Sequence, residues 1–143
     1  MRPVYFLSDF GLEDPYVAVV KAVLAERAPG PAVVDLAHQS GKTAATTFNL
    51  LDQGERCCLV QCTLHTGRTH QIRVHMAHLG HPLLGDAVYG GVPMGGMARQ
   101  ALHAWRLAFE HPITGQRIDL TSALPADMAQ AMQNLGLSYN VGP

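Results

Sequence analysis

Thr66 to Asp86, "TGRTHQIRVHMAHLGHPLLGD", holds two arginines, four histidines and a single acid, which comes last. The stretch follows an apolar run and precedes the glycine-rich "VYGG". Three chemistries explain so many donors beside a buried strand: a metal site, an anion or nucleic-acid contact, or a balancing carboxylate. For metal, His75 and His78 share a helical face, but no HExxH or CxxC pattern accompanies them, and zinc sites usually add Cys or a carboxylate. The expectation is therefore no metal. For an anion, Arg68 and Thr69 sit at a turn entering a helix, where free amides and the helix dipole favour negative charge. Arg68, His70, Gln71 and Arg73 add donors suited to phosphates and base edges. For a carboxylate, an arginine near a buried sheet calls for an acid, because an unpaired buried charge is costly. Asp86 is the local candidate, with Asp119 and Asp9 more distant in sequence.

The elements that must hold these residues follow from periodicity and punctuation. "PVYFLS" (3–8) is a short apolar strand. Asp14 and Pro15 open a helix whose Tyr16, Val19, Val20, Val23 and Leu24 recur at helical spacing to about Arg27. "AVVDLAH" is a second strand, making a strand–helix–strand unit of the kind that begins a parallel α/β sheet. Two longer strands, about Thr43–Leu51 and Cys57–Thr66, join through "DQGE" as a hairpin. Gly67 is suited to a positive φ, and Thr69 to capping a helix from about His70 to Leu79. "LHAWRLAFEHPITGQRIDL" reads as another hairpin with His103, Trp105, Leu107 and Phe109 on one face. "LPADMAQAMQNL" is a last helix with Pro125 near its start. The predicted fold class is α/β (α+β): an N-terminal βαβ unit joined to a mixed, largely antiparallel sheet with two further helices. Residues 1–39 and 40–143 form its two segments within one compact domain.

The chain's 143 residues, 48% hydrophobic, suit one domain with a core. No run reaches the roughly 18 apolar residues of a membrane span, and the N-terminal run is too short for a signal peptide. Cys57, Cys58 and Cys62 lie among apolar residues without CxxC spacing, as reduced core residues of a cytoplasmic protein do. The net charge of −1 hides an uneven layout: residues 1–39 carry three bases against five acids, and residues 56–106 carry five arginines and six histidines against one acid. A polyanion partner for the second region follows from that asymmetry.

"GKTAATTFNLL", "LVQCTLHTGRTHQIRVHMAHLGHPLLGDAVYGG" and "RQALHAWRLAFEHPITGQRIDLTSALPADM" resemble, in order, the C-terminal half of the RluA/RluD-type pseudouridine synthases. The likeness covers about Gly41 to Leu135. It implies uridine isomerisation in structured RNA without a cofactor, with Arg73 at the catalytic centre beside a catalytic aspartate. It also implies RNA contacts at Arg68, Thr69, His70, Gln71 and His75, and at His103 in a second motif near the pocket. The family's "HRLDxxTSG"-like aspartate motif does not occur in the sequence. Residues 3–38 instead resemble the start of S-adenosylmethionine hydroxide adenosyltransferases, in which the aspartate matching Asp9 contacts the ribose. The resemblances together imply a chimera joined near Gln39–Gly41, inactive as an isomerase. A residual RNA-binding module and a fold-only hybrid are the alternatives. Open sheet edges imply self-association. With its aspartate missing, Arg73 is expected to be incompletely balanced, so that Arg73→Met is neutral or stabilising. A rebuilt pair with Asp9 or Asp86 is the competing expectation.

Overall fold

The computed structural model describes residues 14–21, 32–37 and 43–138. The apolar run 3–8 and Asp9 lie outside them. Five strands form one sheet in the order β2-β3-β4-β1-β5: β1 Asp14–Lys21, β2 Ala32–Ala37, β3 Thr43–Gln53, β4 Cys57–Leu64 and β5 Leu102–Ala104. β6 Arg106–Glu110 and β7 Arg117–Thr121 pair as a separate ribbon. Two helices are described, α1 Gln71–His78 and α2 Ala126–Asn134. Every pairing among these strands is antiparallel.

The first segment corrects the sequence reading. Asp14–Lys21 is a strand, not a helix, and it lies antiparallel to β4 from Asp14 opposite Leu64 to Lys21 opposite Cys57. β2 forms where a strand is expected, yet pairs antiparallel with β3 and is not adjacent to β1. No parallel βαβ unit exists among the described residues. The run "YVAVVK" is aromatic and β-branched, and a short apolar run fits helix and strand periods equally. β4 supplies the ladder that decides between them. Local pattern cannot see that partner.

The β3–β4 hairpin forms as expected, with a register irregularity between Leu50 and Asp52. β4 is central; its first half, Cys57–Val60, is apolar and buried on both faces, whereas Gln61 and Thr63 in its second half are half-buried. On one face Cys58, Val60 and Cys62 meet Ile72 and Met76 of α1 and Leu83. On the other, Cys57 and Leu59 meet Met128, Ala131 and Met132 of α2, with Leu84, Met97, Ala101 and Leu137. Consecutive Leu83 and Leu84 thus serve opposite layers, which anchors the loop after α1 to both. All three cysteines are buried, and burial pushes the Cys62 thiol up to about 12. The expected second hairpin is divided at Trp105: β5 joins the large sheet through β1, and β6 pairs with β7.

Candidate functional site

Where β4 ends, the chain turns through Thr66–His70 into α1, and Gln71 holds that turn together. Its side-chain Oε1 accepts from the Thr66 hydroxyl (2.7 Å) and the Arg68 amide (3.0 Å). Its Nε2 donates to the Ala45 carbonyl (3.0 Å) and to Thr46 Oγ1 (2.9 Å). Thr66 Oγ1 in turn accepts from the Ala45 amide at 3.0 Å. One turn along, His75 Nδ1 is hydrogen-bonded to Thr46 Oγ1 at 2.9 Å. Gln71 and His75 are 4% and 3% exposed, so their side chains fasten α1 to β3 rather than point outward. The left-handed residue of the turn is His70 (φ 53°), and Gly67 is not among the glycines with positive φ. Thr69 does not cap α1: His70 occupies the N-cap, and no side chain bonds the helix start.

Arg73, on the same first turn of α1, is clamped from two sides. Its Nε and Nη2 each donate to one oxygen of Asp86, both at 2.8 Å. The side chains are 12% and 1% exposed. Tyr89 places its ring over the guanidinium, 5.0 Å from Cζ to ring centroid, and its hydroxyl is hydrogen-bonded to His70 Nδ1 at 2.9 Å. Burial alone would raise the Asp86 carboxyl. The bonds and charge of Arg73, with the backbone amides of Tyr89 and Val88, hold it below the ordinary carboxylate range. The orphaned-arginine expectation is thereby overturned: Asp86 is the partner, and the pair has the fork geometry that makes arginine–carboxylate contacts strong.

Glycines let the loop deliver Asp86 and Tyr89. The Gly91 amide donates to the Asp86 carbonyl at 2.7 Å, and a Cβ on Gly91 would lie 1.8 Å from the Leu83 carbonyl oxygen. Gly85 has φ +73°, and a Cβ there would lie 2.2 Å from the Arg99 carbonyl oxygen. Neither position accepts a side chain without backbone movement.

Arg68, Thr69, His70 and Arg73 therefore gather at the start of α1. Thr69 is exposed and Arg68 half-buried, with no hydrogen-bond partner for the Arg68 Nε among the described residues. His103 is not brought to them. It lies opposite Val17, which lies opposite Gln61, whereas neighbouring Leu102 packs in the cluster beneath α1. Strand alternation then sets His103 on the face away from α1, where its Nε2 meets the Ser122 carbonyl at 3.2 Å. The charge asymmetry also shrinks. Beyond Arg73, Arg99 forms a bidentate pair with Asp127 (2.8 and 2.9 Å), and Arg106 another with Asp119. Those acids lie just past the basic segment, so counting charges by segment overstated its surplus. Tyr89 was missed in the sequence, although the G-D-x-x-Y spacing after α1 was a usable signal. Asp86 was visible as the single acid of residues 56–106.

The model of the RNA pseudouridylate synthase family matches residues 6–78, slightly more than half of the chain. The chain belongs to that family. Among relatives, it is 47% identical over 97 residues to an uncharacterized RNA pseudouridine synthase of Bacillus subtilis, covering 68% of this chain and 32% of that synthase. It is 42% identical over 115 residues to ribosomal large subunit pseudouridine synthase D of Haemophilus ducreyi, covering 71% and 35%. This member of the family thus spans about a third of the length of the curated synthases it matches. Human RNA pseudouridylate synthase domain containing 4 shares the fold, with a TM-score of 0.74 over 94% of this chain and 66% of that one at 21% identity. No helix among the described residues is long and apolar enough to cross a membrane.

Proposed function

We propose that this chain carries the arginine-bearing, RNA-facing part of an RNA pseudouridine synthase. Arg73 orients a carboxylate against a flipped-out uridine, and the Arg68–His70 turn contacts the RNA backbone. The carrying observation is the Arg73 guanidinium, fixed by Asp86 and Tyr89 at the uncapped start of α1. Uridine isomerisation breaks the C1′–N1 bond, forms C1′–C5, and moves a proton from C5 to solvent while N1 gains one. The step needs a carboxylate to attack and needs no cofactor. Arg73 can steady such a group but cannot replace it. Asp86 is not assigned that role, because its side chain is 1% exposed and closed to a flipped-out uridine.

The aspartate motif is not among these 143 residues, and the chain by itself is proposed to bind structured RNA without isomerising it. Incubation with RNA tritiated at uridine C5 is expected to release no tritium. Enzyme-dependent release that Asp9→Ala abolishes would overturn that view. In this reading Gln71 and His75 support the RNA-facing turn from behind, and His103 belongs to a separate surface. The protein acts in the cytoplasm, and its sheet edges favour self-association, which sedimentation would detect as a concentration-dependent mass. The adenosyltransferase-like reading of residues 3–38, with Asp9 at a ribose, rests on its sequence motif. Calorimetric titration with adenosine and S-adenosylmethionine tests it, and no heat with either would remove it.

A further inference from the structure

His70 is the one non-glycine with positive φ among the described residues (φ 53°, ψ 28°). Glycine takes that conformation freely, and a residue with a Cβ does not. The histidine side chain makes no capping bond to α1 among the described residues. A non-glycine residue held in that region points to a position fixed by its surroundings. Here the ring meets Tyr89 edge-to-face, with centroids 5.8 Å apart and planes at 84°, and Nδ1 bonds the Tyr89 hydroxyl at 2.9 Å. Tyr89 covers the face of Arg73, and Asp86 holds its edge. A bidentate fork fixes two nitrogens but leaves tilting about the line between them; a ring against the face removes that freedom.

We infer that His70 and Tyr89 are positioning residues for Arg73, with left-handed His70 fixing the ring that sets the plane of the guanidinium. The inference rests on the reading of Arg73 as an RNA-site residue, and the two are separable. In the full chain, the arginine Nε–H resonance of Arg73 would be followed by NMR in His70→Gly, Tyr89→Leu and Tyr89→Phe, beside fluorescence-anisotropy binding of a structured, uridine-containing RNA. His70→Gly should melt close to the parent, since relief of the left-handed backbone offsets the greater freedom of unfolded glycine. Its Arg73 resonance should nevertheless shift and exchange faster with water, as should that of Tyr89→Leu. Tyr89→Phe, which removes only the hydroxyl and its bond to His70 and so threatens folding least, should show a smaller shift. RNA affinity should fall roughly two- to five-fold where the ring contact is lost. An Arg73 resonance unmoved in His70→Gly and Tyr89→Leu overturns the positioning role. A moved resonance with unchanged RNA affinity upholds the positioning role and removes Arg73 from the RNA site.

Discussion

Replacing Arg73 with methionine tests whether the pair with Asp86 is a structural commitment. The substitution keeps most of the aliphatic volume and removes both donors of the fork, leaving Asp86, 1% exposed, with its charge unmatched. Breaking a buried pair by removing one partner costs roughly 3–5 kcal/mol. The 12% exposure of Arg73 admits some solvent screening, which favours the lower part of that range, and loss of the Tyr89 contact adds about 0.5–1 kcal/mol. For 143 residues, an unfolding entropy of about 2 cal/mol/K per residue converts each kcal/mol to roughly 3 °C, so the melt should fall by about 10–15 °C at pH 7.

Acid should then narrow the gap. In the parent the folded carboxyl of Asp86 lies below its unfolded value. It therefore contributes stability that is fully present above the unfolded value near pH 4 and is lost as pH falls through the lower folded one. In Arg73→Met the unmatched carboxyl is raised by burial, so protonation relieves the variant while it weakens the parent. Melts at pH 7 and pH 3 should converge, and Arg73→Met with Asp86→Leu should recover much of the loss, because replacing a whole buried pair with apolar groups is often near neutral. A single variant that melts at or above the parent at pH 7 would refute this reasoning and restore the orphaned arginine.

Gln71→Leu should cost about 2–4 kcal/mol in denaturant unfolding, since it removes four hydrogen bonds whose partners are buried or half-buried. Gly91→Ala, whose Cβ would lie 1.8 Å from the Leu83 carbonyl oxygen, should cost on the order of 3 kcal/mol or prevent folding, and an unchanged midpoint would contradict the close approach of Gly91 to Leu83. Cys62, with its thiol pushed up to about 12, should resist a thiol reagent at pH 8 until the chain is unfolded; rapid native labelling would contradict its burial.

What the sequence disclosed divides by the range of the interactions involved. The β3–β4 hairpin, α1 and α2 are carried by local period and turn residues, and their expected bounds lie within a few residues of the observed ones. "YVAVVK" was misread because its state is set by pairing with β4, remote in sequence. The motif at 66–86 disclosed the site but not the direction of its side chains. Gln71 and His75 look like Arg68 and His70 in sequence, yet the helix turns the first two onto Thr46. His103 was grouped with α1 by motif, whereas the register of β5 on β1 sends it to the other face. The partner of Arg73 was legible as the one nearby acid; its fork geometry and the covering tyrosine depend on a glycine loop whose path no periodicity encodes.

The most direct test of an RNA-facing α1 is the salt dependence of RNA affinity for the parent and Arg68→Ala. Arg73, Arg99 and Arg106 are engaged with acids, whereas no ion pair engages Arg68 among the described residues, so Arg68 is the cation to remove. The parent should show a negative slope of log affinity against log salt, with a magnitude of about 1–3 for a few phosphate contacts. Arg68→Ala should be weaker at low salt, with a slope shallower by about 1. Parallel lines for the two proteins at the same affinity, or no RNA binding by a folded parent at low salt, would contradict the account.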